Sequence, residues 1–282
     1  TRRAFLPLFA VLLMAHPFAI AFFAVHRPYF WMYGGAALLA GSLWLIVGRG
    51  RDYRPGDRWL LALALAGILL NFSFHYVVAA EIGLVLAAFV VGLWSIGMRG
   101  WAVRLSAAAV VGSIPLLIAF AFQYSTLFTF RDVGWIARMS PLVAYLMLGW
   151  VVLLSMLVSA AAFAIHFALG RKGAEGVGDD SAGQRAFVRM TLVGLAFSFA
   201  AMLLLNHVKP VLILRYLIPY VPFILAPVAV LATRPFATRP LGLASVLVFG
   251  IFVMGYGAKG AAGEERWNEG GKAIASIKER CP

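Results

Sequence analysis

Charge is scarce in this 282-residue chain and acid is scarcest: 12% of residues are charged, with 11 Asp and Glu against 24 Lys and Arg, for a formal net charge of +13. Soluble domains carry about twice that share of charged residues. The deficit excludes an exterior solvated by water alone. The one cysteine, Cys281, next to the last residue, excludes an intrachain disulfide and a thiolate metal cluster. The five histidines show no His-Glu-x-x-His or similar spacing, so no zinc site can be claimed. What replaces the missing charge is apolar: 63% of the chain is hydrophobic, and lipid is the solvent that such a composition calls for.

A helix crosses a hydrocarbon core roughly 30 Å thick with about 20 apolar residues. Runs of that kind, bounded by charge, Gly and Pro, predict an all-α polytopic membrane protein of about nine transmembrane helices, at 4–23, 31–48, 59–74, 79–97, 104–122, 141–168, 188–206, 216–233 and 241–258. Residues 59–97 are apolar throughout, with Asn71, Ser73, His75 and Glu81 at the middle. We read a tight helical hairpin whose turn keeps those four wet at the membrane surface. The Gly/Ala/Asp-rich 170–184 reads as a flexible linker. Residues 1–258 thus form a transmembrane helical domain. After residue 258 the composition turns polar, and Trp267, Ile274 and Ile277 mark 259–282 as an extracytoplasmic amphipathic tail or the start of a small soluble domain.

The surplus of cations fits either a nucleic-acid surface or a topology signal, and their positions decide. With nine spans, one set of loops holds Arg2, Arg3, Arg49, Arg51, Arg54, Arg58, Arg99, Arg104, Arg171, Lys172, Arg185, Arg189, Arg234 and Arg239, and the opposite set holds Arg27, Arg131, Arg138, Lys209 and Arg215. Fourteen against five puts the first set in the cytoplasm of a cell inner membrane and the C-terminus outside. Nucleic acid is not expected as a partner.

Chemistry is then expected among the polar groups of the outer side, where they are expensive and put to use. His26-Arg27-Pro28-Tyr29 follows a span; it serves either as an interfacial anchor or as an Arg facing a phosphate. His75-Tyr76 sits in the hairpin, at the surface, whereas His16 and His166 lie inside apolar spans as core residues. The loop 123–140 mixes Tyr124, Phe128, Phe130 and Trp135 with Arg131, Asp132 and Arg138, a pattern for a helix lying in the interface. The richest segment is 207–222, His-Val-Lys-Pro-Val-Leu-Ile-Leu-Arg-Tyr-Leu-Ile-Pro-Tyr-Val-Pro. Lys209 and Arg215 offer charge and fixed donors suited to a phosphate. Pro219, Pro222 and Pro227 bend the span and release backbone carbonyls.

Arg-Tyr-Leu-Ile-Pro-Tyr-Val-Pro at 215–222, with Lys209-Pro210 upstream, resembles the Arg-Tyr-Leu…Pro segment of the polytopic GT-C glycosyltransferases, in particular the bacterial members related to protein O-mannosyltransferases and the aminoarabinose transferase of lipid A. Pro17 with Arg27-Pro28-Tyr29, then His75-Tyr76, then Trp267 with its short Ala-rich helix, match further motifs in the family's order. The family's Glu before its Arg-x-Tyr element corresponds to Val25, between Ala24 and His26. Its catalytic carboxylate belongs to a first outer loop upstream of the matching region, so the chain from Thr1 reads as an inactive fragment.

The resemblance implies transfer of a sugar from a polyprenyl-phosphate carrier to a lipid, glycan or protein acceptor at the outer face of the membrane. Arg215, Lys209 and Arg27 are then the donor phosphate-binding residues, stabilising the charge that grows on the leaving phosphate. Tyr29, His75, Tyr76 and Tyr216 orient donor or acceptor, and the base comes from upstream. The reading calls for no cofactor and leaves a divalent metal open. The rivals are a transporter or flippase of a lipid-linked anion, which needs ionisable groups deep in several spans, and a structural membrane subunit whose outer cations are anchors.

Overall fold

The computed structural model describes residues 2–15, 29–73, 75–129, 181–208 and 214–237. Every regular element among them is helical: α1 (Arg2–Ala15), α2 (Tyr29–Val47), a 3₁₀ turn (Pro55–Asp57), α3 (Arg58–Phe72), α4 (Tyr76–Ser95), α5 (Arg99–Thr129), α6 (Ser181–Val208), the single turn α7 (Leu214–Leu217) and α8 (Tyr220–Ala237). Four windows are long and apolar enough to cross a membrane, Phe30–Val47, Tyr76–Ser95, Arg99–Phe122 and Ala182–Asn206, while Phe5–Met14 and Tyr220–Leu231 are shorter apolar helices. The expected spans 141–168 and 241–258, the tail 259–282 and His16 and His166 lie outside the described residues.

The helices pack as α2 on α3, α3 on α5, α4 on α5 and α6, and α8 on α1, α2 and α6. Lipid tails are as apolar as leucine, so close approach of backbones must supply much of the attraction. Small residues permit it. A Cβ on Gly67 would lie 2.8 Å from the Gly35 carbonyl oxygen, and one on Gly194 would lie 3.0 Å from the Val85 Cα. The first brings α2 and α3 together, the second α4 and α6. Aromatic rings join four helices at the centre: Phe5 on α1 meets Trp44 on α2 at 5.5 Å, Trp44 meets Phe187 on α6 at 5.4 Å, and Phe187 meets Phe89 on α4 at 5.6 Å. The outer surface is apolar as well. Val103, Val110, Leu117 and Phe122 on α5 stand 57–83% exposed, a face that only hydrocarbon would cover without cost.

One end of the bundle gathers arginines. Arg49, Arg51, Arg54 and Arg58 follow α2, Arg99 and Arg104 open α5, and Arg185 and Arg189 open α6. Gly183 lies beside the backbone of Val47 and Gly48, and Gly100 beside Asp52, which brings the three segments to the same end. The acids of this end serve as fasteners. Asp52 caps α5 by accepting from the backbone N–H of Gly100 at 2.9 Å and of Trp101 at 3.1 Å. Asp57, 3% exposed, accepts two bonds from the Arg51 guanidinium, 2.8 and 3.1 Å, and one from the Arg54 N–H, with Arg49 Nε at 3.6 Å. Burial works to raise the pKa of both carboxyls, but the Arg51 fork on Asp57 and the backbone N–H groups on Asp52 outweigh it and hold both below the usual carboxylate range. Arg104 lies 3.9 Å over the ring of Tyr53. Gly97, at φ +81°, ends α4 in the left-handed conformation that lets the Met98 N–H reach back to the Leu93 carbonyl.

Four expectations are corrected here. The hairpin turn does fall at Ser73, but only Ser73 and His75 reach the surface; Asn71 and Glu81 are 0% and 1% exposed, because each turns inward along its helix from the turn. The span beginning at 216 is divided by the Ile218-Pro219 turn into α7 and α8, since Pro219 has no N–H to carry the ladder. Residues 181–184, expected in the linker, already belong to α6. Residues 123–129, expected in a loop, continue α5, which has no Gly or Pro in that stretch to stop it.

Candidate functional site

The opposite end of the bundle is built from the α3–α4 turn, the last turn of α6, α7 and the start of α8. His75 caps α4: its backbone is extended and its Nδ1 accepts from the Val77 N–H at 3.2 Å. That bond fixes the tautomer. In the neutral ring the proton sits on Nε2, which donates to Tyr216 Oη at 2.9 Å. The imidazole lies between two phenols, its centroid 4.3 Å from that of Tyr76 and 4.6 Å from that of Tyr216, each tilted by about 30°. Tyr76 is 39% exposed and Tyr216 is buried. Three of the seven residues expected at the site therefore form one stack, exposed on one side and held by a hydrogen bond on the other, although Tyr216 is 141 positions away from His75 in sequence.

One turn further into the bundle lies a second polar group. The Ser198 hydroxyl on α6 donates to the Glu81 carbonyl on α4 at 3.0 Å, so the 2.7 Å contact with Tyr220 Oη on α8 is a bond that Tyr220 donates. This chain ties three helices together. The Glu81 side chain is buried, and neither carboxylate oxygen has a hydrogen-bond partner among the described residues. A carboxyl enclosed in this way is costly and calls for an explanation. Its position in the sequence hid it. Glu81 lies close to the turn, where a wet carboxylate is the ordinary reading, and only helix phase places it on the face toward α6 and α8.

The remaining expected residues divide into two groups. Arg215 belongs to α7 and Tyr29 opens α2, so their backbones are placed and nothing is described of their side chains. Arg27 and Lys209 lie outside the described residues, as do Arg131, Asp132, Arg138 and Trp267. Arg215 immediately precedes Tyr216, which puts its backbone one residue from the His75 contact. Among the described residues no group of three His, Cys, Asp or Glu side chains is placed to hold a metal ion. Of these groups His75 and the exposed Tyr76 can meet a sugar or phosphate by hydrogen bonds and ring stacking. No protein-family model, no curated protein and no solved structure matches this chain.

Proposed function

We propose that the chain is the membrane domain of a glycosyltransferase that moves a sugar from a polyprenyl-phosphate carrier to a lipid, glycan or protein acceptor at the membrane face opposite the arginines. One observation carries the reading. The His75–Tyr216 bond joins two segments that resemble GT-C motifs, at the end of the bundle away from the topology-setting cations. Arg215, beside Tyr216, would receive the phosphate, with Lys209 and Arg27 as further contacts, and the growing negative charge would be stabilised by fixed donors in a site of low dielectric. Tyr29, Tyr76, Tyr216 and His75 would orient the sugar. The acceptor's proton would pass to a carboxylate acting as general base.

The test is sugar transfer by the intact protein in vesicles, from a polyprenyl-phosphate sugar to endogenous acceptors. Arg215→Ala is expected to lower the rate about a hundredfold or more. Normal transfer by this variant at normal expression would remove Arg215 from the site, and no transfer by the parent protein with any such donor would end the proposal. Glu81 favours one second reading, a transporter of a lipid-linked anion, because a buried acid within a span is the kind of group that couples transport to protons. Under that reading Glu81→Gln abolishes pH-driven uptake and leaves binding of the anion intact.

A further inference from the structure

The arginine end is not uniformly fastened. Arg49 and Arg51 are engaged by Asp57, and Arg104 by Tyr53. Arg185 and Arg189, one turn apart on the same face of α6, are exposed and make no ion pair with an acid among the described residues. They stand between two grooves. One, of about 920 Å³, runs between α4 and α6 and is lined by Ala87, Val91, Ser95 and Phe197 beside the arginines. The other, of about 720 Å³, lies on the far side of α6, where Leu192 and Leu231 line it with the same two arginines and Gln184. No described residue lining either groove is acidic. Gln184, beside the arginines, is 5% exposed, and its Nε2 amide group has no acceptor among the described residues.

A place whose described lining offers positive charge and no acid, on the second and third turns of α6, asks for an anion. The apolar walls specify what the anion is attached to. Val91 and Phe197 are 66% and 67% exposed on the α4–α6 groove, and Phe197 lies twelve residues beyond Arg185 on α6, about 18 Å along the axis. One leaflet of hydrocarbon is about 15 Å deep. An acyl chain whose headgroup phosphate rests at Arg185 and Arg189 therefore has the length to follow the groove down to Phe197. A soluble acidic peptide would leave those walls bare, and a second copy of this chain would bring its own arginines against these. We infer that Arg185 and Arg189 form a binding site for an anionic glycerophospholipid, with the headgroup phosphate on the two guanidinium groups and the acyl chains in the flanking grooves. The site is independent of the proposed transferase activity and lies at the other end of the bundle.

The experiment is native mass spectrometry of the intact protein in detergent, titrated with phosphatidylglycerol or with phosphatidylcholine of the same chains, together with thermal unfolding of each variant to establish that it folds. Phosphatidylglycerol is expected to bind, phosphatidylcholine to bind about tenfold or more weakly, and R185Q/R189Q to lose about tenfold in phosphatidylglycerol affinity. Ala87→Trp fills the groove at an exposed position and leaves every charge in place, and it too is expected to weaken binding. Arg58→Gln, a loss of charge at the same end away from the grooves, is expected to leave binding unchanged. Equal binding of the two lipids, equal loss with Arg58→Gln, or full retention by R185Q/R189Q would each overturn the inference. So would binding that appears only when Glu175, Asp179 and Asp180 are neutralised, because the arginines would then be occupied by acids of this chain.

Discussion

The two ends of the bundle use polar groups in opposite ways. Among the described residues of the arginine end, acids are few and each is engaged: Asp52 caps α5, and Asp57 receives Arg51, the Arg54 N–H and Arg49. At the histidine end there is almost no formal charge among the described side chains. The contacts are between neutral rings and hydroxyls, and the one acid among the described residues there, Glu81, is buried with no hydrogen-bond partner among them. Charges that bond one another at a membrane surface hold a loop in place, whereas neutral donors and an unsatisfied acid leave capacity for something else. That contrast is why chemistry is sought at His75 and structure at Asp57.

Substitutions at the two ends are expected to act with different strength. The largest effect is expected where both ends share a support. Gly67→Ala would place a Cβ 2.8 Å from the Gly35 carbonyl and from Leu39, with backbone on the far side that cannot swing away. The separation of α2 and α3 must widen, for a loss of about 1–3 kcal/mol in thermal unfolding in detergent. If Gly67→Ala is neutral, the close crossing is not what holds these helices. Next, His75→Ala removes both the α4 cap and the Tyr216 bond, and is expected to cost about 2 kcal/mol while abolishing sugar transfer. Tyr216→Phe keeps the ring and the cap. It should lower transfer with little change in stability, and equal losses of stability in the two variants would make the stack purely structural.

Smaller effects belong to the arginine end. Asp52→Ala uncaps α5 and is expected to cost about 1 kcal/mol, with no effect on chemistry at the far end. A reduced transfer rate in that variant, at unchanged stability, would show that the two ends are coupled. The smallest effect is the response to acid. Both Asp52 and Asp57 have pKa values held below the ordinary 3.8. Their contribution to stability is therefore complete above that value and is lost as pH falls through the lower, folded-state values. Unfolding midpoints should fall on acidification below about pH 4 in the parent protein and fall less in Asp57→Asn, which starts lower and has less to lose. A parallel decline in both would mean that another carboxyl governs the acid limit.

How legible all this was depends on what each feature requires. The apolar runs at 31–48, 79–97, 104–122 and 188–206 became helices α2, α4, α5 and α6 because twenty apolar residues have no other stable backbone in hydrocarbon. The turn at Ser73 was legible from its polar cluster, and the break at Pro219 was half legible, since proline announces a bend but not whether the helix resumes. His75, Tyr76 and Tyr216 were each singled out as residues. Their meeting is not legible, because a contact over 141 positions depends on where α7 lies against the start of α4. Glu81 is legible as a polar residue but not in its placement. Its distance from the turn argued for water, and its angle around α4, which sequence position alone does not weigh against neighbouring helices, turned it inward.

By itself the sequence determined the solvent, the helical class and the polarity of the cations along the chain, because the cost of an unpaired backbone group or a charge in lipid is paid locally, residue by residue. Only the tertiary structure decided which polar side chains meet. Asp57 with Arg51, His75 with Tyr216, and Ser198 with Glu81 and Tyr220 are products of helix rotation and close approach at Gly35, Gly67 and Gly194, and those follow from packing between segments far apart in the chain.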